Sequence, residues 1–392
     1  MLQFDRDDGF SSSAATIMNQ TVINGAAPFL PEEIMINILK RLPVKSLIRF
    51  QCVCERWKNL LQLPSFIADH LRHSRHRNPS LLFFDTFRPD PLQIHLLDCE
   101  MQVRDVHKPP PLGSFQSCCV SVIGSSNGLL CVQTRECGFS LSPSLLLWNP
   151  ATRDIREVPR YRVYKCVLGF GFSSFVDDYK IVAIDRKICR AGVYSLSRDS
   201  WKEIELGNIL EHVTIYRETV VSSNGAIFWP GLKPGEDNRK EGVIISFDIA
   251  TEILTLIPCP SDHRDSYSSF NLVLYKDKLA ALVSGIGASR TIDLWVMEEN
   301  IGSSENRWSW TQKFIGISCP WTLYFGAIWR DEIVIPGTET QGKVQKSSGL
   351  SLFSLITNEF KVLAIPKPDY CNFLNYVESL VPVANIKKIE GT

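Results

Sequence analysis

The chain has 392 residues, 44% of them apolar and 21% charged, with 42 basic and 42 acidic side chains. That length fits two or three domains, or a small one joined to a large one, and the composition is that of a soluble globular protein. The balanced charge excludes the one-signed field that draws nucleic acid or an anionic membrane, no apolar run reaches transmembrane length, and the opening around Asp5, Arg6, Asp7 and Asp8 has no signal-peptide core.

Residues 1–28 are rich in Ser, Asn, Asp and Ala without periodicity and are expected to be a disordered leader. Helical patterning begins at Phe29. Pro31 suits a first helical position, with Glu32 and Glu33 in the positive first turn. Ile34, Ile38 and Leu42 recur at i, i+4 and i+8, with Met35 and Leu39 beside them, until Pro43 stops the helix. A second helix is predicted through Leu47, Phe50, Val53, Cys54, Trp57, Leu60 and Leu61. Pro64 should break it before a short third helix at Phe66, Ile67, His70 and Leu71. A unit of this size rarely buries enough surface to fold alone. It is either the cap of a larger core or a docking module whose face a partner completes.

The residues favour the second choice. Leu30-Pro31, the break at Leu42-Pro43-Val44-Lys45-Ser46-Leu47 and the run Cys52-Val53-Cys54-Glu55-Arg56-Trp57 resemble the F-box in order and spacing. The resemblance covers residues 29–71. It implies binding to a Skp-family adaptor, and through that adaptor to the cullin and RING subunits of a ubiquitin ligase. It places the adaptor contact on Leu30, Pro31, Ile34, Ile38, Leu39, Leu42, Pro43, Leu47, Val53, Cys54 and Trp57. Glu55-Arg56 departs from the family, which often has Lys or Arg followed by Ser there.

Residues 72–79, Arg-His-Ser-Arg-His-Arg-Asn-Pro, read as a polar basic linker. The alternative is a small anion-binding patch, with His70, His73 and His76 on one side of a continued helix. From Ser80 the texture changes to short strands rich in Val, Ile, Leu, Phe and Trp between Gly, Pro, Asn and Asp turns. Leu97, Trp148, Tyr194, Phe247, Trp295 and Phe353 each sit on a strand, followed by a polar turn and a second strand. They lie 46 to 58 residues apart, which is blade spacing. Further apolar strands precede each of them. The expected fold is therefore a small all-α module followed by an all-β propeller of about six blades over residues 80–385, with seven allowed if one interval hides another, and a tail at 386–392. Tyr376–Val383 is expected as a closing strand that pairs with the N-terminal strands of the ring, since closure removes the free edges.

A second resemblance rests on Ser126-Asn127-Gly128-Leu129-Leu130-Cys131, Leu147-Trp148-Asn149-Pro150-Ala151-Thr152, Gly169-Phe170-Gly171-Phe172 with Asp177-Asp178-Tyr179-Lys180, Ser223-Asn224-Gly225-Ala226-Ile227-Phe228-Trp229 and Tyr376-Val377-Glu378-Ser379-Leu380. These look like the F-box-associated interaction domain of plant F-box proteins, often labelled F-box/kelch-repeat. The double glycine of a kelch blade is missing.

Few of these motifs promise chemistry. Asn127-Gly128 and Asn224-Gly225 read as type I′ hairpin turns. Gly169-x-Gly171 opens no helix and lacks a third phosphate-loop glycine. Asp177-Asp178 reads as a solvated turn. The 12 cysteines contain no Cys-x-x-Cys pair, and neither Cys52/Cys54 nor Cys118-Cys119 has a second half at zinc spacing, so no metal or cofactor is expected. Free thiols fit a reduced compartment, cytoplasmic or nuclear. No sialidase-type Asp-box turn occurs.

Two classes of function follow. In the first the chain is a non-catalytic substrate receptor of a ubiquitin ligase. Its helical module docks on the adaptor, and its propeller holds a protein client, with 158–165, 233–241, 261–269 and 337–349 as candidate contact segments. In the second it is a propeller enzyme such as a glycosidase, which needs paired carboxylates near the central axis. A scaffold acting outside a ligase is a further option.

Overall fold

The computed structural model describes residues 30–77, 79–85, 94–100, 102–106, 117–136, 144–161, 166–185, 189–216, 220–235, 240–260, 270–284, 291–299, 308–318, 326–335, 338–340, 343–345, 350–363 and 371–383. The expected leader at 1–28, the tail at 386–392, the contact segment 261–269 and parts of the other three lie outside these residues.

Four helices come first: α1 (Glu32–Leu39), α2 (Val44–Phe50), α3 (Glu55–Leu61) and α4 (Pro64–Arg77). The sequence suggested one helix across α2 and α3. Instead the chain turns at 51–53, and Cys54 is extended at φ −158° before α3 restarts. Pro64 opens α4 where a break was expected, as suits a residue without an amide proton at a first position. This helix runs on to Arg77, so most of the expected linker at 72–79 is helical.

Six four-strand blades follow, one of them with a divided first strand. Blade one takes its first strand from the far end of the chain: Cys371–Tyr376 pairs antiparallel with Ser80–Asp85, and Ile94–Leu97 and Val103–Val106 lie outside them. Blade two is Ser117–Ser126, Leu129–Glu136, Ser144–Asn149 and Asp154–Val158; blade three is Val167–Ser173, Asp178–Asp185, Arg190–Ser195 and Ser200–Glu205. Blade four begins with the divided strand (Thr214–Ile215 and Val221–Ser223) and continues with Ala226–Pro234, Lys240–Asp248 and Leu254–Pro258. Blade five is Phe270–Tyr275, Lys278–Ser284, Thr291–Glu299 and Trp308–Ser318; blade six is Ala327–Trp329, Glu332–Ile335, Leu350–Ser354 and Phe360–Leu363. The first strands meet one another around a closed ring.

The six sequence anchors all fall on third strands, and each faces the preceding blade. Leu97, Trp148, Tyr194, Phe247, Trp295 and Phe353 thus belong to six separate apolar clusters, one at every blade junction. That is how sheets too small to bury themselves become a stable ring. Indole N–H groups add further ties between blades. Trp201 donates to the Pro159 carbonyl at 2.6 Å, Trp310 to Pro258 at 3.0 Å and Trp229 to Leu168 at 3.0 Å.

Two expectations need correction. The closing strand is Cys371–Tyr376, and residues 377–383 leave the sheet as an irregular strap. Asp178 is not solvated, because it accepts Ser195 Oγ–H at 2.6 Å and the Ser197 amide at 2.9 Å beneath the outer hairpin. The type I′ turns stand as expected, with φ of 52° and 81° at Asn127-Gly128 and 47° and 78° at Asn224-Gly225. Gly128 has a second constraint: a Cβ there would come within 2.6 Å of the Val377 carbonyl, so the turn and the strap pack in direct contact.

Candidate functional site

In blades two to six the turn between the first two strands lies on one face of the ring, and in blade one the paired ends Tyr376 and Ser80 lie on that face. Residue 79 leads from α4 into Ser80 at that face, so the helical module sits there. Arg75 of α4 donates to the Asn127 side chain at the blade-two turn. The strap holds the two parts together. Leu380 enters the core of the module beside Met35, Leu39, Val44, Leu47, Trp57, Leu60, Leu61 and Phe66, and Ala151 of blade two packs against the same cluster. Glu378 accepts the Val44 amide at the start of α2, where Pro43 supplies no side-chain cap. Burial raises the pKa of that carboxyl, while Arg104 and Lys45 act against the rise.

Asn149 anchors the strap from the propeller side. It is fully buried, and its Nδ2 donates to the Ser379 carbonyl at 3.0 Å and the Val381 carbonyl at 2.8 Å. Its Oδ1 accepts the Ala151 amide at 3.0 Å and the Thr152 amide at 3.3 Å, which shapes the turn that touches the module. The sequence reading missed this role, although Asn149 and Ser379 both stand in motifs that carried the resemblance.

The eleven residues singled out on the module fall into two groups. Leu39, Leu47 and Trp57 are its own core, buried at 2%, 0% and 8% exposure, and Leu42 is half-buried. The others reach solvent. Leu30, Ile34 and Ile38 are 43%, 46% and 49% exposed, and Val53 is 61% exposed. Pro31, Pro43 and Cys54 are exposed as well. Ile34 and Ile38, four residues apart, share one exposed face of α1, and Leu30 is exposed just before Pro31 at its start. Leu63, which the sequence reading passed over, is also exposed at 48%. A stripe of large apolar side chains beside a core that is already filled is a surface awaiting cover. Burying the exposed portions of four such side chains would contribute roughly 3–5 kcal/mol.

Little else gathers chemistry. Among the described residues no group of three or more His, Cys, Asp or Glu is placed to hold a metal. No described helix is long and apolar enough to cross a membrane. Cys52 and Cys54 are exposed free thiols, and the side chains of Cys118 and Cys119 lie outside the described residues. The six first strands that ring the axis contain no Asp or Glu. Lys180, reaching across a blade junction to the Ile249 carbonyl at 2.7 Å and to Glu252 at 2.8 Å, is a structural tie.

Comparison with known families agrees with this architecture. The family model described as the F-box associated beta propeller domain matches residues 85–383, and that of the F-box domain matches residues 28–68. An F-box/kelch-repeat protein of Arabidopsis thaliana, At3g17530, is 26% identical over 307 residues, covering 71% of this chain and 74% of its own. The F-box protein At3g08750 from the same plant is 27% identical over 283 residues, 69% of either chain. The Arabidopsis F-box protein CPR1 is 27% identical over 325 residues, 73% of this chain and 72% of its own.

Proposed function

We propose, on the premise that this chain belongs to the F-box proteins with an associated β-propeller, that it is the substrate receptor of a Skp–cullin–F-box ubiquitin ligase. The observation that carries this reading is that Leu30, Ile34, Ile38 and Val53 stay exposed on a helical module whose core is already filled with the help of Leu380 from the strap. In this reading the exposed residues of the F-box, with Pro31, Pro43 and Cys54, meet a Skp-family adaptor. Leu39, Leu47 and Trp57 support that face from beneath.

The chain makes and breaks no bond itself. The adaptor ties it to the cullin and RING subunits, and the propeller holds a protein client near the charged ubiquitin-conjugating enzyme. Proximity then raises the effective concentration of client lysines at the thioester. Strand direction supports a division of faces. Turns between first and second strands lie on the F-box side, so connections between second and third strands, and between blades, lie on the other. The described residues of the candidate client segments 158–165, 233–241 and 337–349 belong to connections of that second kind. The free described thiols fit a reducing cytoplasm or nucleus.

The test is copurification of the tagged full chain with adaptor and cullin, together with the half-lives of proteins captured by the propeller. Ligase function requires both adaptor-dependent cullin capture and client turnover that slows when the chain is depleted. Adaptor binding with no client whose turnover responds would point to a scaffold.

A further inference from the structure

The helical module closes on a basic run, Arg72, His73, Arg75, His76 and Arg77. The structure brings it against the end of α1. His70 Nε2 lies 3.0 Å from the Leu42 carbonyl, which packs α4 beside the turn after α1. Lys40 and Arg41 occupy that turn, and the Arg41 amide donates to the Ile38 carbonyl at 3.1 Å, so the chain is still helical there. Arg41 therefore continues the face of Ile34 and Ile38 by one more step.

His73 records the local charge. Its pKa is lowered, first by burial and then by Arg77, Arg41, Lys40 and His76. These cations come from two parts of the chain, the turn after α1 and the last turn of α4. The neighbouring acids are engaged elsewhere, Asp69 with Arg72 at 2.9 Å and Glu32 with Arg56 at 3.4 Å. The helix dipole of α4 accounts for some positive charge in its last turn. It does not account for Lys40 and Arg41, which lie in the turn that ends α1. The surface is thus graded: acidic at exposed Glu32 and Glu33, apolar through Ile34 and Ile38, and basic at exposed Arg41 and Arg77 with half-buried Lys40 and His73 between them.

We propose that Lys40, Arg41, His73 and Arg77 form a basic shelf that receives an acidic segment of the adaptor docked on the adjoining apolar stripe. The inference rests on the reading of the chain as an F-box receptor and adds the chemistry of one end of its interface. Charges at the rim of an interface act mainly on encounter, so the shelf should steer association and fix register while the apolar stripe holds the complex. The shelf and the stripe therefore have separate kinetic signatures.

The experiment measures association and dissociation of the full chain with a purified Skp-family adaptor from about 50 mM to about 500 mM NaCl. Arg41→Glu combined with Arg77→Glu should slow association by about tenfold at the lower salt and flatten its salt dependence, while dissociation changes little. Arg41→Lys combined with Arg77→Lys should behave as wild type. Both positions are exposed, and an unchanged unfolding midpoint checks the fold of each variant. If wild type fails to bind the adaptor, the receptor reading fails and the shelf loses its occupant. If wild type binds and the reversed variant keeps its association rate and salt slope, only the shelf is refuted. Loss of binding to phosphatidylserine vesicles in the reversed variant, with adaptor kinetics intact, would give the shelf to a lipid surface and also overturn the proposal.

Discussion

Replacing Asn149 by Ala tests whether the strap at 377–383 welds the F-box to the ring. The side chain makes four hydrogen bonds at a fully buried position, donating to the carbonyls of Ser379 and Val381 and accepting the amides of Ala151 and Thr152. Each buried backbone group left without a partner costs about 1–3 kcal/mol. Ser379 is fully buried, whereas Ala151, Thr152 and Val381 are half-buried and water can reach their freed groups. The expected loss is therefore about 4 kcal/mol, at the low end of the four-group sum. Asn149→Asp keeps the accepting oxygen but turns a second, anionic oxygen toward two carbonyls, and should cost at least as much. Urea unfolding followed by tryptophan fluorescence gives the energies, and hydrogen exchange across 377–383 gives the location. Phe175→Ala, at a turn residue 89% exposed, serves as the control. If both Asn149 variants stay within about 0.5 kcal/mol of wild type, and exchange across the strap is unaltered, the strap is an incidental tail.

Truncation separates closure from attachment. A chain ending at Tyr376 keeps the Cys371–Tyr376 strand and should retain a soluble ring with a loosened F-box, whereas one ending at 370 exposes the edge of Ser80–Asp85 and should aggregate; sedimentation distinguishes them. Leu380→Ala removes a propeller-chain residue from the F-box core and should cost about 2–4 kcal/mol, read as faster amide exchange in α1 and α2 with the blades unchanged. His70 is buried, and burial holds its pKa below the ordinary 6.5 despite the opposing contact with Leu42. The unfolded chain therefore takes up the proton more readily, so this contribution is complete above pH 6.5 and is lost as the pH falls through and below that value. The stability gap between wild type and His70→Gln should accordingly narrow between about pH 7.5 and about pH 5.5, measured by urea unfolding at each pH.

Much of the ring was readable because a propeller repeats one physical problem six times. Each third strand needs a large side chain facing the previous blade, and Leu97, Trp148, Tyr194, Phe247, Trp295 and Phe353 meet that need at blade spacing. Asn-Gly turns were equally legible, since their left-handed backbone is local chemistry. What escaped depended on residues far apart in sequence. Tyr376–Val383 looked like a strand because Tyr376, Val377, Val381 and Val383 are all strand formers, yet Leu380 turns into the F-box core and the Ser379 carbonyl meets Asn149. Asp178 looked solvated because its turn is polar, but its partners come from the Ser195–Ser197 segment of the next hairpin. On the F-box, periodicity found the apolar positions without sorting them. Leu39 and Ile38 are sequence neighbours, and only the packing of α1 against the other helices decides that one is core and the other exposed.

The central claim is that the exposed stripe docks on a Skp-family adaptor, and the most direct measurement is the dissociation constant of the purified full chain for that adaptor, taken by calorimetry for wild type and for two double variants. Leu30→Ala with Pro31→Ala, and Ile34→Ala with Ile38→Ala, remove apolar surface that is already exposed, so the unfolding midpoint should hold. Each pair should weaken binding by at least about tenfold, because a loss of only about 1.4 kcal/mol suffices. Wild-type affinity retained in both variants, with the fold intact, would contradict the account.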